Sequence, residues 1–380
     1  MRRDLSIVAL CGALLFGACG IEKPGMPDGE GRIVLTVVDT SGTIQGSTPG
    51  KPFPVGRANV HASVQIRSLT HEFTAETLSD TAGVASFDGL ASGRYSVFGR
   101  FEYVSVDKRV FSGFLDLVLN GETTFRDTLL VNLASVSSGL VINEIYYCGA
   151  PCYLFFFDQY VELHNAFQDT LYLDGVILTR QLQTRLPDID TRPDVVATYA
   201  YQFPGTPFGK QYPIAPGQFI VIAADALNHK TACKEAVDLS HADWECFNAL
   251  ASDYDNPNVP NLTNINPSSH VDYLINLVHN AIVIANGSKY GFDDAGHVLI
   301  PLATVLDGVE YSTNPSMQKE LTARVDAGFA GVGVIKYSGM SVERRELGLD
   351  TDNSSYDFEN LPRPTPGFSH AQSTQKRYFR

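Results

Sequence analysis

The sequence predicts an all-β protein made of two β-sandwich domains, and three observations carry that expectation. Composition is the first: among 380 residues there are 22 Phe, 17 Tyr, 32 Gly and 20 Pro but only 4 Met, a set rich in strand and turn formers. Patterning is the second, because apolar residues recur at period two in short runs bounded by turn residues, not at helical spacing. Length is the third: at roughly 100–200 residues per domain the chain can bury two cores. With 44% hydrophobic and 18% charged residues it is far from a disordered composition. Acidic residues number 42 against 28 basic ones, a net charge of −14. Such a surface repels phosphate backbones and no local basic cluster offsets it, so nucleic acid is not an expected partner.

The N-terminus reads as an address. Met1-Arg2-Arg3 supplies positive charge, and Leu5 to Ala18 is a 14-residue, mostly apolar run. A bilayer takes ~20 helical residues to cross, so residues 1–18 are expected to be a cleaved export signal. Leu15-Phe16-Gly17-Ala18-Cys19 resembles the bacterial lipoprotein box, with small residues ahead of the Cys that is lipidated. The resemblance implies that Cys19 becomes the acylated first residue and that the lipid tethers the protein to a membrane. No Asp follows Cys19, which by resemblance to Gram-negative sorting rules favours the outer membrane, with the leaflet left open. An ordinary secreted protein cut near Cys19 is the alternative. Residues 19–31, rich in Gly, Pro and acidic side chains, are expected to be a flexible tether.

Residues 32–133 are expected to form the first sandwich, with strands at 32–39, 59–67, 71–79, 84–88, 94–104, 107–118 and 123–132. The second alternates strictly, Val60, Ala62, Val64 and Ile66 facing one way and Asn59, His61, Ser63, Gln65 and Arg67 the other. In the fifth, Tyr95, Val97, Phe101 and Tyr103 are assigned inward. The run from Asp80 through Gly83, Phe87, Leu90, Gly93, Tyr95 and Val97 resembles the signature of carboxypeptidase-regulatory-like, prealbumin-like domains. It implies a hairpin whose Gly83 takes positive φ and a domain that serves as a spacer. His61 and His71 read as solvated.

A small, polar joint at 132–139 leads to the second domain, residues 140–370. Val141–Tyr146, Gln159–Asn165, Leu171–Leu178, Tyr212–Ala223 with its Pro216-Gly217 turn, Leu306–Tyr311 and Ser341–Arg345 follow one another in an order that resembles a lamin-tail domain. Asp357-Phe358 and Pro364–Gly367 close the pattern. The resemblance implies an immunoglobulin-like sandwich, here with long insertions at 180–210 and 225–280. It also implies that Glu144 and Glu162, with Asn143, Asn165 and Arg344, are hydrogen-bonding partners near the sandwich ends, although two facing carboxylates also invite an acid/base reading. Asp350, Asp352, Asn353 and Asp357 offer hard oxygens but not a complete calcium loop, and read as a solvated turn. So do Asp188, Asp190 and Asp194.

Four cysteines remain after the signal, Cys148, Cys152, Cys233 and Cys246, and an even count in an exported protein favours disulfides. Nearest-neighbour pairing, Cys148 with Cys152 and Cys233 with Cys246, is expected among the three connectivities, worth ~2 and ~3 kcal/mol by loop entropy. Zinc on Cys148 and Cys152 is the rival, without a matching second half. The long segment 225–280 carries Trp244, the single Trp of the protein. Trp244, Phe247 and Tyr254, with Phe156 and its neighbours after Cys152, are candidates for an aromatic recognition surface or for a satellite core. No G-x-S-x-G, H-E-x-x-H, Walker or EF pattern occurs, and Gly328–Gly333 is a loop rather than a dinucleotide fingerprint. The expected function is therefore non-enzymatic and needs no cofactor or metal: an envelope lipoprotein whose second-domain insertions engage another envelope protein. A carbohydrate or polymer binder built on Trp244 is the first alternative, and a hydrolase or metal-dependent enzyme in the insertions the second.

Overall fold

The computed structural model describes residues 29–369 except 69, 71, 72, 105–107, 122, 135–138, 185, 187, 190 and 267–269. The signal, Cys19, the tether up to residue 28, His71 and Asp190 lie outside the described residues. Both expected sandwiches are present. The first holds β1 (Gly31–Asp39), β2 (Phe53–Pro54), β3 (Ser63–Ser68), β4 (Thr74–Leu78), β5 (Val84–Leu90), β6 (Gly93–Val104), β7 (Lys108–Leu119) and β8 (Thr124–Ala134). Hydrogen bonding runs β2-β1-β8-β7-β6-β3-β4, with β5 also on β1. β1 lies parallel to β8, and β6 and β7 form a long hairpin from Gly93–Leu119 to Val104–Lys108.

Alternation explains the packing. Val64, Ile66, Tyr95, Val97 and Phe101 all point into one core with Ile33, Leu35 and Phe111, and Phe101 stacks on Phe111 with ring centroids 4.7 Å apart. Gly83 takes φ +80°, and the Asp80 carboxylate accepts the amides of Ala82 and Val84 at 2.8 Å, closing the expected turn. The second strand starts later than the alternation suggested. A short 3-10 turn, Val55–Ala58, ends on Asn59 at φ 58°, which delays extended backbone until Ser63. His61 is exposed, with Nδ1 2.6 Å from the Ser79 carbonyl oxygen.

The second domain follows with β9 (Leu140–Tyr146), β10 (Tyr160–Asn165), β11 (Leu171–Tyr172), β12 (Ile177–Gln181), β13 (Asp194–Gln202), β14 (Pro213–Ile214), β15 (Phe219–Ala223), β16 (Trp244–Glu245) and β17 (Thr263–Asn264). It closes with β18 (His279–Ala285), β19 (Gly291–Phe292), β20 (Val298–Pro301), β21 (Val305–Ser312), β22 (Ser341–Arg344), the single-turn helix α1 (Ser354–Asp357) and β23 (Phe358–Leu361). One sheet runs β16-β15-β10-β9-β22-β23 and the other β19-β20-β13-β12-β18-β21. Ile142, Ile145 and Val221 of the first meet Leu178, Ile282 and Ile284 of the second in the main core. The segment 180–210 is more than an insertion, because β13 pairs with β12 and β20 inside the second sheet.

Arg344 is the buried polar anchor of this domain. Its guanidinium donates to the carbonyls of Ile142 and Leu349 at 2.8 Å and to Asp307 Oδ2 at 2.7 Å, with Asp350 at 3.5 Å and Asp357 at 3.6 Å. Asp350 and Asp357 therefore belong to a charge network, correcting the expectation of a solvated turn; Asn353 caps α1 by accepting the Ser355 amide. The two domains touch through α1. Tyr356 stacks on Phe98 at 5.5 Å, its hydroxyl meets Ser63 Oγ at 2.9 Å, and Arg67 lies 4.4 Å over the Phe329 ring while donating to the Met317 carbonyl.

Candidate functional site

The cysteines pair differently from the nearest-neighbour expectation. Cys152 bonds to Cys233, with Cα atoms 6.1 Å apart, while Cys148 and Cys246 are buried free thiols. The reason lies in where each side chain sits: Cys148, just beyond β9, is in the core with its thiol donating to the Met340 carbonyl at 2.9 Å, and Cys246, just beyond β16, is in the same core. Cys152 sits on a turn that reaches out to the loop after β15. Cys148 and Cys152 do not converge, so the zinc alternative has no paired ligands.

That disulfide fixes one end of the loop Pro151–Phe157. Asp158 fixes the other: it accepts from the Tyr146 hydroxyl at 3.1 Å and from the Val237 amide at 3.0 Å, and burial pushes its carboxyl up to about 6. Gln159 then bridges to the backbone of Tyr147 and Ile275. Between these anchors Tyr153 is 93% exposed, Leu154 51% and Phe157 41%, and Leu154 holds φ 54°. Phe156 is half-buried and stacks on Phe157, whose neighbour Phe155 packs edge-on against His229. A cleft of about 800 Å³ beside this loop is lined by Lys230, Lys234, Glu235, Arg363 and Pro364.

Trp244 is not part of that surface. It is buried in the main core, with Phe203 and Tyr212 edge-on at 5.1 and 5.6 Å. Strand alternation and the parallel pairing of β16 with β15 turn its ring inward. Phe247 is half-buried and Tyr254 exposed, and among the described residues no ring contact joins either to Phe156. The four aromatic candidates therefore divide between a core residue and two separate loops.

Glu144 and Glu162 do face each other, and Glu343 faces Glu144 from the other side; all three are fully buried. A segment that includes Thr365 and Gly367 covers them. Thr365 donates its amide to Glu144 and Gly367 to Glu162, while Ser341 Oγ binds Glu144 and Asn143 Nδ2 binds Glu162 at 2.8 Å. Burial, with a contribution from Glu343, pushes Glu144 up to about 8, and burial with the Glu144 charge pushes Glu162 well up. These carboxylates are buried hydrogen-bonding partners; Asn143 bonds to Glu162, while Asn165 donates to the Asp169 and Ile214 carbonyls and Arg344 to Asp307.

A third cluster escaped the sequence reading. Asp225 just after β15, Asp253 after β16 and Asp272 before β18 bring carboxylate oxygens within 4.8 Å of one another. Asp253 Oδ2 accepts the Asn248 amide at 2.7 Å, and the neighbouring Glu245 accepts the amides of Ala226 and Asn256. Burial first, and the adjacent acidic charges second, push Asp225 up to about 8 and Asp272 up to about 7. No motif spacing marks three residues from separate loops, so only the fold reveals them.

A crystal structure of a DUF4876 family protein from Bacteroides thetaiotaomicron superposes with a TM-score of 0.53 at 21% identity, covering 91% of this chain and 98% of that one. A minor pilin of Streptococcus agalactiae aligns over 72% of this chain and 90% of its own at 10% identity, with a TM-score of 0.15, too low to carry an argument. No curated protein matches the sequence. The family model for DUF4876, described as a protein of unknown function, matches residues 215–293, the segment that carries Asp225, Cys233, Trp244, Cys246, Asp253 and Asp272.

Proposed function

We propose that the protein is a non-enzymatic envelope lipoprotein, anchored through Cys19, whose first domain is a carboxypeptidase-regulatory-like spacer and whose lamin-tail-like second domain docks another envelope protein. The observation that carries this reading is the Pro151–Phe157 loop, which holds Tyr153 at 93% exposure beside exposed Leu154 and Phe157 while pinned by the Cys152–Cys233 disulfide. Exposed aromatics on a rigid support lose little conformational entropy on binding, which is the economy of an interface hot spot. Leu154 in the left-handed region is a second mark of a shape kept for use rather than for packing. The paired carboxylates Glu144 and Glu162 lie under the segment that holds Thr365 and Gly367, which favours a structural over an acid/base role for them. The carbohydrate alternative keeps Tyr254 but loses the Trp244 stacking face, which is buried.

Deleting the long loop would not test this, because Leu239, Trp244, Val259 and Leu262 of that loop belong to the main core. The test places a photoreactive phenylalanine analogue at Tyr153 of the full-length protein in its own membranes, with Tyr290, half-exposed near β19, as the control position. One discrete adduct with an envelope protein from position 153, absent from 290 and lost in a Leu154→Ser/Phe157→Ser variant of unchanged melting temperature, is expected. Identical adducts from both positions, or none from 153, would refute the docking role. Loss of radiolabelled palmitate incorporation in Cys19→Ala tests the anchor separately.

A further inference from the structure

The acidic cluster in the long loop lacks the cations that balance several other buried carboxylates of this domain. Glu310 sits against Lys319 at 2.9 Å, and Asp307 against Arg344 at 2.7 Å. Asp225, Asp253 and Asp272 have no Lys, Arg or His ion partner among the described residues, although their oxygens lie within 4.8 Å of one another. Asp225 is 3% exposed, and its Oδ1 has no hydrogen-bond partner; Oδ1 of Asp272 is likewise enclosed and without one. The Tyr201 hydroxyl, on a fully buried residue beside the cluster, is also unsatisfied, and its proton is held by burial and by the charges of Cys246, Asp253 and Asp272. A buried carboxylate oxygen without a donor costs free energy unless something positive completes it.

We propose that Asp225, Asp253 and Asp272 form a divalent-cation site of the calcium class that fastens the 225–280 loop to the end of β15. The donor chemistry selects the ion. All three ligands are hard carboxylate oxygens, which suit Ca²⁺ or Mg²⁺ rather than a thiolate- or imidazole-preferring metal. They come from three irregular segments, a flexible arrangement that fits the six to eight oxygens at about 2.3–2.6 Å around Ca²⁺ better than the strict octahedron of Mg²⁺. Asp253 and Asp272 are half-exposed, so the ion has an entry path and waters can fill the remaining positions. The cation would tie the strand that carries Asp225 to both limbs of the loop, independently of any docking at Tyr153.

The experiment uses the full chain freed of metal with a chelator and then titrated with CaCl₂ or MgCl₂ alone. Calorimetry at near-neutral pH is expected to show about one Ca²⁺ per chain with a Kd of roughly 10⁻⁵–10⁻³ M, and the unfolding midpoint to rise by about 5–10 °C at a hundredfold excess. Asp225→Asn and Asp272→Asn should each abolish the Ca²⁺ shift while melting no lower than the parent in chelator, because each amide matches in size a carboxyl whose ionisation burial already disfavours. The absence of heat and of any shift up to about 10 mM CaCl₂ would overturn the proposal. So would an equal response to Mg²⁺, or an unchanged response in Asp225→Asn. A variant that melts lower in chelator would show that Asp225 acts as a structural acceptor, which also refutes the site.

Discussion

Replacing Glu144 by Gln should remove much of the alkaline sensitivity of the second domain. Gln matches the protonated carboxyl in size and keeps an oxygen for Ser341 Oγ and the Thr365 amide. Burial lifts the Glu144 carboxyl from 4.5 to about 8, so ionising it in the folded chain is less favourable than in the unfolded chain by roughly 5 kcal/mol. The sign follows from proton binding. The folded chain holds more protons than the unfolded one between 4.5 and about 8, so this stability is complete below 4.5 and is lost as pH rises to about 8. Glu162, pushed up alongside, titrates with Glu144 as a pair and steepens the fall. Urea unfolding can be followed through Trp244, because the single Trp lies in the core of this domain. Parent and Glu144→Gln should differ by about 1 kcal/mol or less near pH 5, with the variant the more stable by several kcal/mol near pH 9. Parallel stability curves across that range would refute the assignment of a buried proton to Glu144.

Arg344→Met leaves Asp307, Asp350 and Asp357 without their cation and should cost about 3–5 kcal/mol in chemical denaturation; a loss below about 1 kcal/mol would contradict the network. Alkylation of the mature, unreduced protein should label no cysteine until it is denatured, and then only Cys148 and Cys246, with tryptic mapping returning a Cys152–Cys233 peptide. Breaking that bond with Cys233→Ser releases a loop closed across a separation of 81 residues and should lower stability by as much as ~4 kcal/mol, read from the melting temperature. Tyr356→Ala removes the ring against Phe98 and the hydroxyl contact to Ser63, and should split a single calorimetric transition into two.

The first domain was legible almost strand by strand because each half-buried strand writes its faces as alternation, and Val64, Ile66, Tyr95 and Val97 land where that alternation puts them. Four strands of the second domain, around Glu144, Glu162, Phe219 and Arg344, are buried at every position and were legible through a resemblance of their runs, not through alternation. β13 was not, since buried Val195, Val196, Ala197, Ala200 and Tyr201 occupy both faces and leave no polar counterpart to mark the period. Spacing could not pair the cysteines, because the bond depends on which of them strand geometry turns outward. Trp244 was open in sequence to a recognition surface or a satellite core, and two residues of parallel pairing with β15 place it in the main core instead. The Asp225 cluster is invisible in sequence, as its members meet only after three loops are folded together.

The cover over Glu144 and Glu162 also sets an order of events. β9 is the first strand of the second domain, yet the amides that seal its glutamate come from Thr365 and, for the neighbouring strand, from Gly367. A chain emerging N-terminus first presents these two carboxylates to water, ionised and mutually repelling, until the segment with Thr365 and Gly367 arrives. Their burial and protonation then coincide with completion of the sheet, so a truncated or stalled chain lacks the closing step. The second domain is in this sense a lock whose final pin is the segment that holds Thr365 and Gly367, and its two buried carboxylates stay unsealed until that segment docks.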